Sequence, residues 1–598
     1  MTGRPRAIAG MLAATVAVLA AASVGYMRVR GTHRGHPTAT YADHHAGTAH
    51  DGPPRLLVIG LDGASLGVMT PMMAAGELPA FRALSARGQH GRLVPLEPVL
   101  SPLLWNTVST GVVPGRHGIE RFFARVPGRP MSRAVPVTHR RVPALWNLAS
   151  QAGRSVAVIG WWTTWPAETV TGALVSQNWT WVHDRIAATH PPRLVDRLEA
   201  IASQVVAEGE LSKLIHGPPR IPCGPGFPEN GVYYEEADAL ARRERTLCDA
   251  LRTDLVTVEV AVDLLERESP QLAMVYLRGI DPLSHRYWKA SFPDEVRYAI
   301  PPTGEELRRY GDAVRAYYRL TDRLVARLVA AMPEANVIVL SDHGFLAEPE
   351  CGGHSFDHNH LLADLGLLHQ DDRGIDYSRS QVVHDIIGML SSEGTYFVNL
   401  RSRAPEGVVE DAGFAAIVEG LAARLRGLKT TRGTPLFETV EVDLSPPAER
   451  ESPDLRVAPN REVTIDQRLV LGDGTEVPMS RYLVALDVSG THDRPPTEVP
   501  GILFAAGPDV PRRATPLDAR LLDVAPTLAC LADLPLAVRP DGRAISTLMD
   551  EDTRARCARH RVPTVETVAN PVAVDGLPIH DRADTGIAEE LRGLGYVQ

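Results

Sequence analysis

Leu56-Leu57-Val58-Ile59-Gly60-Leu61-Asp62-Gly63 decides the reading of this chain. A nearly continuous apolar run meets an aspartate and then a glycine. A strand buried on both faces of a parallel sheet reads this way when it delivers a carboxylate at its C-terminal end. Ligands of open α/β sheets gather at those ends. The pattern returns twice. Leu272-Ala273-Met274-Val275-Tyr276-Leu277 leads to Asp281 and His285, and Val337-Ile338-Val339-Leu340 leads to Asp342-His343-Gly344. One Asp at a strand end is usually a helix cap or a loop hydrogen bond. Three such ends, each carrying Asp or Asp plus His, suggest a shared metal site.

The rest of the composition bounds the function. At 598 residues the chain has room for two or three domains, or one large domain with insertions. A net charge of -10 offers no basic field to a phosphate backbone, so no nucleic-acid partner is expected. A small phosphate-bearing substrate remains compatible, because metal ions supply positive charge locally. The cysteines Cys223, Cys248, Cys351, Cys530 and Cys557 are scattered without a CxxC spacing. Zinc held by thiolates is therefore not expected, and there is room for a disulfide whose partners the spacing does not reveal.

Residues 1–30 read as a signal anchor or transmembrane segment. Arg4 and Arg6 precede an apolar run from Ala7 to Met27, and Arg28 and Arg30 follow it. At about 1.5 Å per residue that run can cross a hydrocarbon layer of about 30 Å. The leading arginines place the N-terminus in the cytoplasm and the bulk outside, periplasmic or at the cell surface. Small residues at Ala20-Ala21-Ala22 also permit cleavage. Residues 31–54 form a His/Gly-rich linker.

The body alternates strand and helix, which predicts an α/β fold: a mostly parallel sheet sandwiched by helices. The first part of the catalytic domain spans 55–344 and the second 485–550. A smaller α+β cap is inserted at 345–484, and 551–598 is a C-terminal tail. Expected helices lie at 79–87, 303–332, 412–426, 521–534 and, in the tail, 587–591. Thr303 and Glu306 form a capping box for the second of these. Strands are expected at 155–160, 395–400, 462–465 and 501–507. Trp161-Trp162-Thr163-Thr164-Trp165-Pro166 either walls a pocket or packs in the core.

The chain resembles the alkaline phosphatase superfamily, and within it the type I phosphodiesterase/nucleotide pyrophosphatase family. The resemblance runs from Val58 to Gly63, through Ser101-Pro102 to Thr110-Gly111, and Pro114-Gly115-Arg116-His117-Gly118-Ile119. It continues through Asp281 to His285, Ser341-Asp342-His343-Gly344 and Gly490-Thr491-His492. It implies two zinc ions, one held by Asp281, His285 and His492. The other would be held by Asp62, Asp342 and His343 together with the nucleophile, Ser101. Thr107 is a rival hydroxyl inside the same helix. The implied reaction is hydrolysis of phosphoric esters, most naturally diesters, through a phosphoseryl intermediate. A phosphomonoesterase, or a transferase passing the phospho group to an envelope or lipid acceptor, are alternatives on the same scaffold. The expected partners are a phosphate-ester small molecule or lipid-linked substrate, and the membrane through the N-terminal segment. One position departs from the family: Phe122 stands where nucleotide pyrophosphatases carry an asparagine. Asn106 or Arg121 would then have to meet the phosphoryl oxygens, with Trp162 as a wall. His354, His358 and His360 could also face substrate or a further ion.

Overall fold

The computed structural model describes residues 54–559, apart from 126–131, 178, 180–184, 225–238, 349–353, 372–373, 385–393, 405–406, 447–451, 461, 465, 486–487 and 537. The expected anchor at 1–30, the linker up to residue 53 and the tail helix at 587–591 lie outside the described residues. No helix among the described residues is long and apolar enough to cross a membrane.

A nine-stranded sheet forms the centre. Its strands are β1 (Leu56–Leu61), β2 (Gln89–Val94), β3 (Val156–Ile159), β4 (Gly172–Val175), β5 (Thr189–His190), β6 (Leu272–Leu277), β7 (Asn336–Leu340), β8 (Gly501–Ala506) and β9 (Leu517–Arg520). They lie in the order β9-β2-β8-β7-β1-β6-β3-β4-β5. Only β8 and β5 run against the others.

β1 shows why its sequence is almost continuously apolar. Leu57, Ile59 and Leu61 enter one core with Val256, Val260 and Tyr317. Leu56 and Val58 enter the core on the other face, with Leu104, Trp105 and Leu528. Side chains alternate across a strand, so both faces demand apolar residues. Gly60 is the exception by necessity: a Cβ there would lie 2.7 Å from the Trp105 ring.

Register then gathers the chemistry. β1 lies between β6 and β7, with Leu61 opposite Leu277 and Gly60 opposite Leu340. The carboxylates that follow these strands therefore emerge at one edge. The helices used below are α1 (Ser101–Thr110), α2 (Ala239–Glu268), α3 (Ile280–Ser291), α4 (Gly304–Tyr310) and α5 (Ala313–Ala331).

The helix expected at 303–332 is two helices, α4 and α5. Its capping box is present: Thr303 Oγ1 accepts from Glu306 N–H and Glu306 Oε2 accepts from Thr303 N–H. The break falls at Gly311 and Asp312, where Ser291 enters from α3. Its hydroxyl donates to Tyr310 O (3.1 Å) and accepts from Val314 N–H (3.3 Å). An inserted side chain that takes over freed backbone groups is an established cause of such breaks. The strand expected at 462–465 is also absent from its described part. Glu462 N–H instead bonds Asn460 Oδ1 (3.0 Å), an Asx turn that outweighs the β-branched composition.

Strands Val382–His384, Gly394–Val398, Leu455–Pro459 and Phe437–Val442 form a separate four-stranded antiparallel sheet. Helix Phe414–Gly427 contributes to the hydrophobic cluster beside it. Two disulfides close the body, Cys223–Cys248 and Cys530–Cys557.

Candidate metal centre

Six side chains converge in two groups at the carboxyl edge. Asp62, Asp342 and His343 form one, and Asp281, His285 and His492 the other, each with its ligand atoms within 4.8 Å of one another. The groups adjoin. His343 Nε2 lies 3.2 Å from Asp62 Oδ1, 3.7 Å from Asp342 Oδ2 and 3.9 Å from Asp281 Oδ1 of the second group. The His343 and His492 rings stack with centroids 3.8 Å apart.

The imidazoles are oriented from behind. His285 Nδ1 donates to Gly490 O (3.0 Å) and His343 Nδ1 to Gly344 O (3.1 Å). A carbonyl only accepts, so the proton sits on Nδ1 and each Nε2 is left basic toward the carboxylates. α3 supplies two of the candidate ligands because Asp281 and His285 lie one turn apart on it. His285 Nε2 is 3.5 Å, and His492 Nε2 3.6 Å, from Asp281 Oδ1.

The electrostatics call for a cation. Burial pushes Asp342 well above the usual carboxylate range, and the Asp62 and Asp281 charges add to it. Burial would lower His343, but the three carboxylates around it raise it to about 10. Burial also pushes Asp62 up, yet His343, Tyr276 and Ser101 together hold it below its ordinary value. The Gly63 amide lends Asp342 partial positive charge without reaching bonding geometry, and both Asp342 oxygens are buried with no hydrogen-bond partner. A buried, unpartnered carboxylate costs several kcal/mol unless a cation meets it. The donors, carboxylate and imidazole with no thiolate, fit zinc or a similar divalent ion.

Ser101 opens α1, with Pro102 directly after it, and is almost wholly buried. Its hydroxyl donates to Asp62 Oδ1 at 3.4 Å. A helix N-terminus beside it favours an anion. Thr107, the rival hydroxyl, is committed elsewhere: it donates to Leu103 O (3.0 Å) and lies 3.1 Å from His117 Nε2. His117 Nδ1 accepts from Ile119 N–H, so Nε2 carries the proton and donates to Thr107.

The expected substrate residues separate. Asn106 is fully buried, and its amide donates to Pro102 O (2.7 Å) and Thr163 Oγ1 (2.9 Å). Both hydrogens are spent inside the protein, so Asn106 cannot stand in for the missing asparagine. Arg121, next to Phe122 in sequence, is half-buried. Phe122 is buried and packs edge-on against Trp162, centroids 5.5 Å apart. Trp161 and Trp165 are core residues, and Trp162 is the half-buried one. His358 does not join the metal centre: it bonds Tyr396 through Nδ1 (2.6 Å) and lies by His384 in the smaller sheet. His360 packs on Tyr482, and the His354 side chain lies outside the described residues.

Sequence reasoning missed Tyr276. Its hydroxyl donates to Asp62 Oδ2 and accepts from Trp162 Nε1 (2.8 Å). Burial and the carboxylates push its phenol well above the ordinary value, so it remains a donor. The available signal was a lone polar-tipped aromatic near the end of an otherwise aliphatic strand. The loop carrying Trp162 is pinned by a buried ion pair: Arg140 Nη2 bonds Glu168 Oε1 (2.5 Å) while Arg140 Nη1 donates to Thr163 O (3.2 Å).

Paired clusters of carboxylate and imidazole at the carboxyl edge of such a sheet suit metal-dependent ester hydrolysis. Residues 56–472 match the sequence profile of type I phosphodiesterase / nucleotide pyrophosphatase, and the chain belongs to that family. Its class is therefore phosphoric ester hydrolase, in a family that is metal-dependent. None of the curated proteins matches it closely in sequence. Similar solved structures include human ectonucleotide pyrophosphatase / phosphodiesterase 5, 14% identical at a TM-score of 0.41, covering 83% of this chain and 100% of that one. The murine counterpart is 15% identical at 0.42, with the same coverage. An inactive variant of the murine protein in complex with AMP is 14% identical at 0.41, again covering 83% and 100%.

Proposed function

We propose that this protein hydrolyses phosphodiesters with two zinc ions and Ser101 as nucleophile. One observation carries the reading: six buried candidate ligands form two adjoining groups, and Asp62 of the first group also receives the Ser101 hydroxyl. Asp62, Asp342, His343 and Ser101 would hold one ion, and Asp281, His285 and His492 the other. When bound, the ions supply positive charge that makes a serine alkoxide and a hydroxide accessible near neutral pH and offsets charge on the phosphoryl oxygens.

The chain's own residues do the rest. Ser101 Oγ gives up its proton by way of Asp62 Oδ1, which accepts its hydrogen, and attacks phosphorus; the Oγ–P bond forms as the bond to the leaving oxygen breaks, and the leaving alcohol takes up a proton from water. Water then cleaves Oγ–P, returning the serine and releasing the phosphate product. Asp62 holds Ser101 on one oxygen and Tyr276 on the other, so the nucleophile is oriented before substrate arrives. The α1 N-terminus favours the phosphoryl anion. Arg121 would be a side-chain donor for its oxygens, and Trp162 would wall the pocket.

The two disulfides support a location outside the cytoplasm, where an oxidising environment preserves such bonds. The test is turnover of a chromogenic phosphodiester against the matching monoester by zinc-loaded protein. Diester turnover that disappears with chelator supports the reading, monoester preference moves the protein to the phosphatases, and no zinc uptake refutes the metal assignment.

A further inference from the structure

We propose that Asp254 is a positioning residue that aims the Asp281–His285 ligand pair, by capping from a distance the helix that carries both. The inference rests on the two-ion reading of the site.

α3 begins without a cap of its own. Gly279 precedes it and offers no side chain to its first amides. Those amides must find acceptors, because a helix start leaves its first N–H groups without intrahelical partners. Asp254, on α2 and only 1% exposed, accepts from the two amides of the turn that leads into α3. Its Oδ1 accepts from Arg278 N–H at 2.9 Å and its Oδ2 from Gly279 N–H at 3.0 Å. The Tyr317 hydroxyl, on α5, donates to the same Oδ2 at 2.9 Å. One carboxylate thus fastens α2, α5 and the turn between β6 and α3.

The approach is too close for anything but glycine at 279. A Cβ there would collide with the Tyr317 hydroxyl and with Asp254 Oδ2. Asp281 is the second residue of α3 and His285 lies one turn further on, so both ligands inherit the direction in which α3 starts. The anion also sits at the positive end of the helix dipole.

Burial raises Asp254 to about 6, against the three hydrogen bonds and the Arg278 charge that lower it. The folded value lies above the ordinary 3.8, so the stabilisation present at low pH is lost as pH rises through about 6. The groups facing it are Tyr317 from α5, and Arg278 with the amides of Arg278 and Gly279 from the turn.

Mutation of residues that orient metal ligands typically weakens metal binding about 10–100-fold. The test uses the full chain. Zinc binding is measured by competition with a chromophoric chelator, and the visible spectrum is recorded after Co2+ substitution. Wild type is expected to bind two ions. Asp254→Asn should hold one ion with wild-type affinity and the other about 10–100-fold more weakly, with a changed Co2+ spectrum. Tyr317→Phe should move both readouts the same way by less. A folded Asp254→Asn protein with both affinities and the Co2+ spectrum unchanged overturns the inference. If Asp254→Asn does not fold, Tyr317→Phe decides it on the same readouts. Wild type that binds no zinc overturns the metal reading, and this inference with it.

Discussion

Tyr276 donates its phenolic hydrogen to Oδ2 of Asp62, the carboxylate that receives the Ser101 hydroxyl on its other oxygen. The two residues are far apart in sequence but neighbours in the sheet, because β6 pairs with β1 in register. The bond locks the carboxylate plane and continues to Trp162, so Trp162 and a candidate metal ligand share one hydrogen-bonded chain. Tyr276→Phe removes that lock while preserving the packing of the ring. Activity should fall about 10–100-fold with little change in melting temperature. Steady-state kinetics on the diester, beside a thermal melt, check it; unchanged kinetics would confine Tyr276 to a packing role.

Ser101→Ala should abolish diester turnover and leave the fold intact. The hydroxyl's one described bond is the 3.4 Å contact to Asp62, and losing so long a bond costs little stability. Residual turnover near the wild-type rate would point to water as the direct nucleophile.

The Arg140–Glu168 pair is wholly buried, and Trp146 Nε1 and Asn147 Nδ2 also donate to the Glu168 carboxylate. Glu168→Ala removes the carboxylate from a buried guanidinium, which should cost about 3–5 kcal/mol. Denaturant unfolding measures this. Because Arg140 also holds the Thr163 carbonyl, the same variant should disturb the Trp162 wall and raise KM.

Glu306 offers a pH signature. Burial pushes its carboxyl up, but Arg243 and the Thr303 bonds outweigh that and hold it at about 2, against an ordinary 4.5. A depressed acid stabilises the fold above its unfolded value and loses that contribution as pH falls. Glu306→Gln should therefore be less stable than wild type at pH 7, with the gap closing between pH 4.5 and about 2. Unfolding curves across that range test it, and a gap that persists below pH 2 would contradict it.

Much of the centre was legible in the sequence for one physical reason. β1, β6 and β7 are buried on both faces, so their composition carries a strong signal, and strand ends are where α/β sheets place ligands. That is why Asp62, Asp281, His285, Asp342 and His343 could be read as one set, whereas His492 follows none of these strands and entered through the family resemblance. What escaped depends on partners distant in sequence. Tyr276 carries only the faint local mark of a polar-tipped aromatic in an aliphatic strand, and Asp254 carries none; their roles come from strand register and helix packing. Ser291 breaks a helix it does not belong to. Asn106 looked available until Pro102 and Thr163 were seen to consume its donors. The pairing of Cys223 with Cys248, and of Cys530 with Cys557, likewise needs the fold. At 462–465, β-branched composition lost to a turn centred on Asn460.

The most direct test of the central claim is to look for the covalent intermediate. Zinc-loaded protein is mixed with a phosphodiester, quenched in acid at early times and digested, and the peptide containing residue 101 is weighed by mass spectrometry. The account predicts a phosphoryl-ester adduct on Ser101 that forms and decays during turnover and is absent in Ser101→Ala. Turnover at full rate with no adduct on that peptide at any time would contradict it.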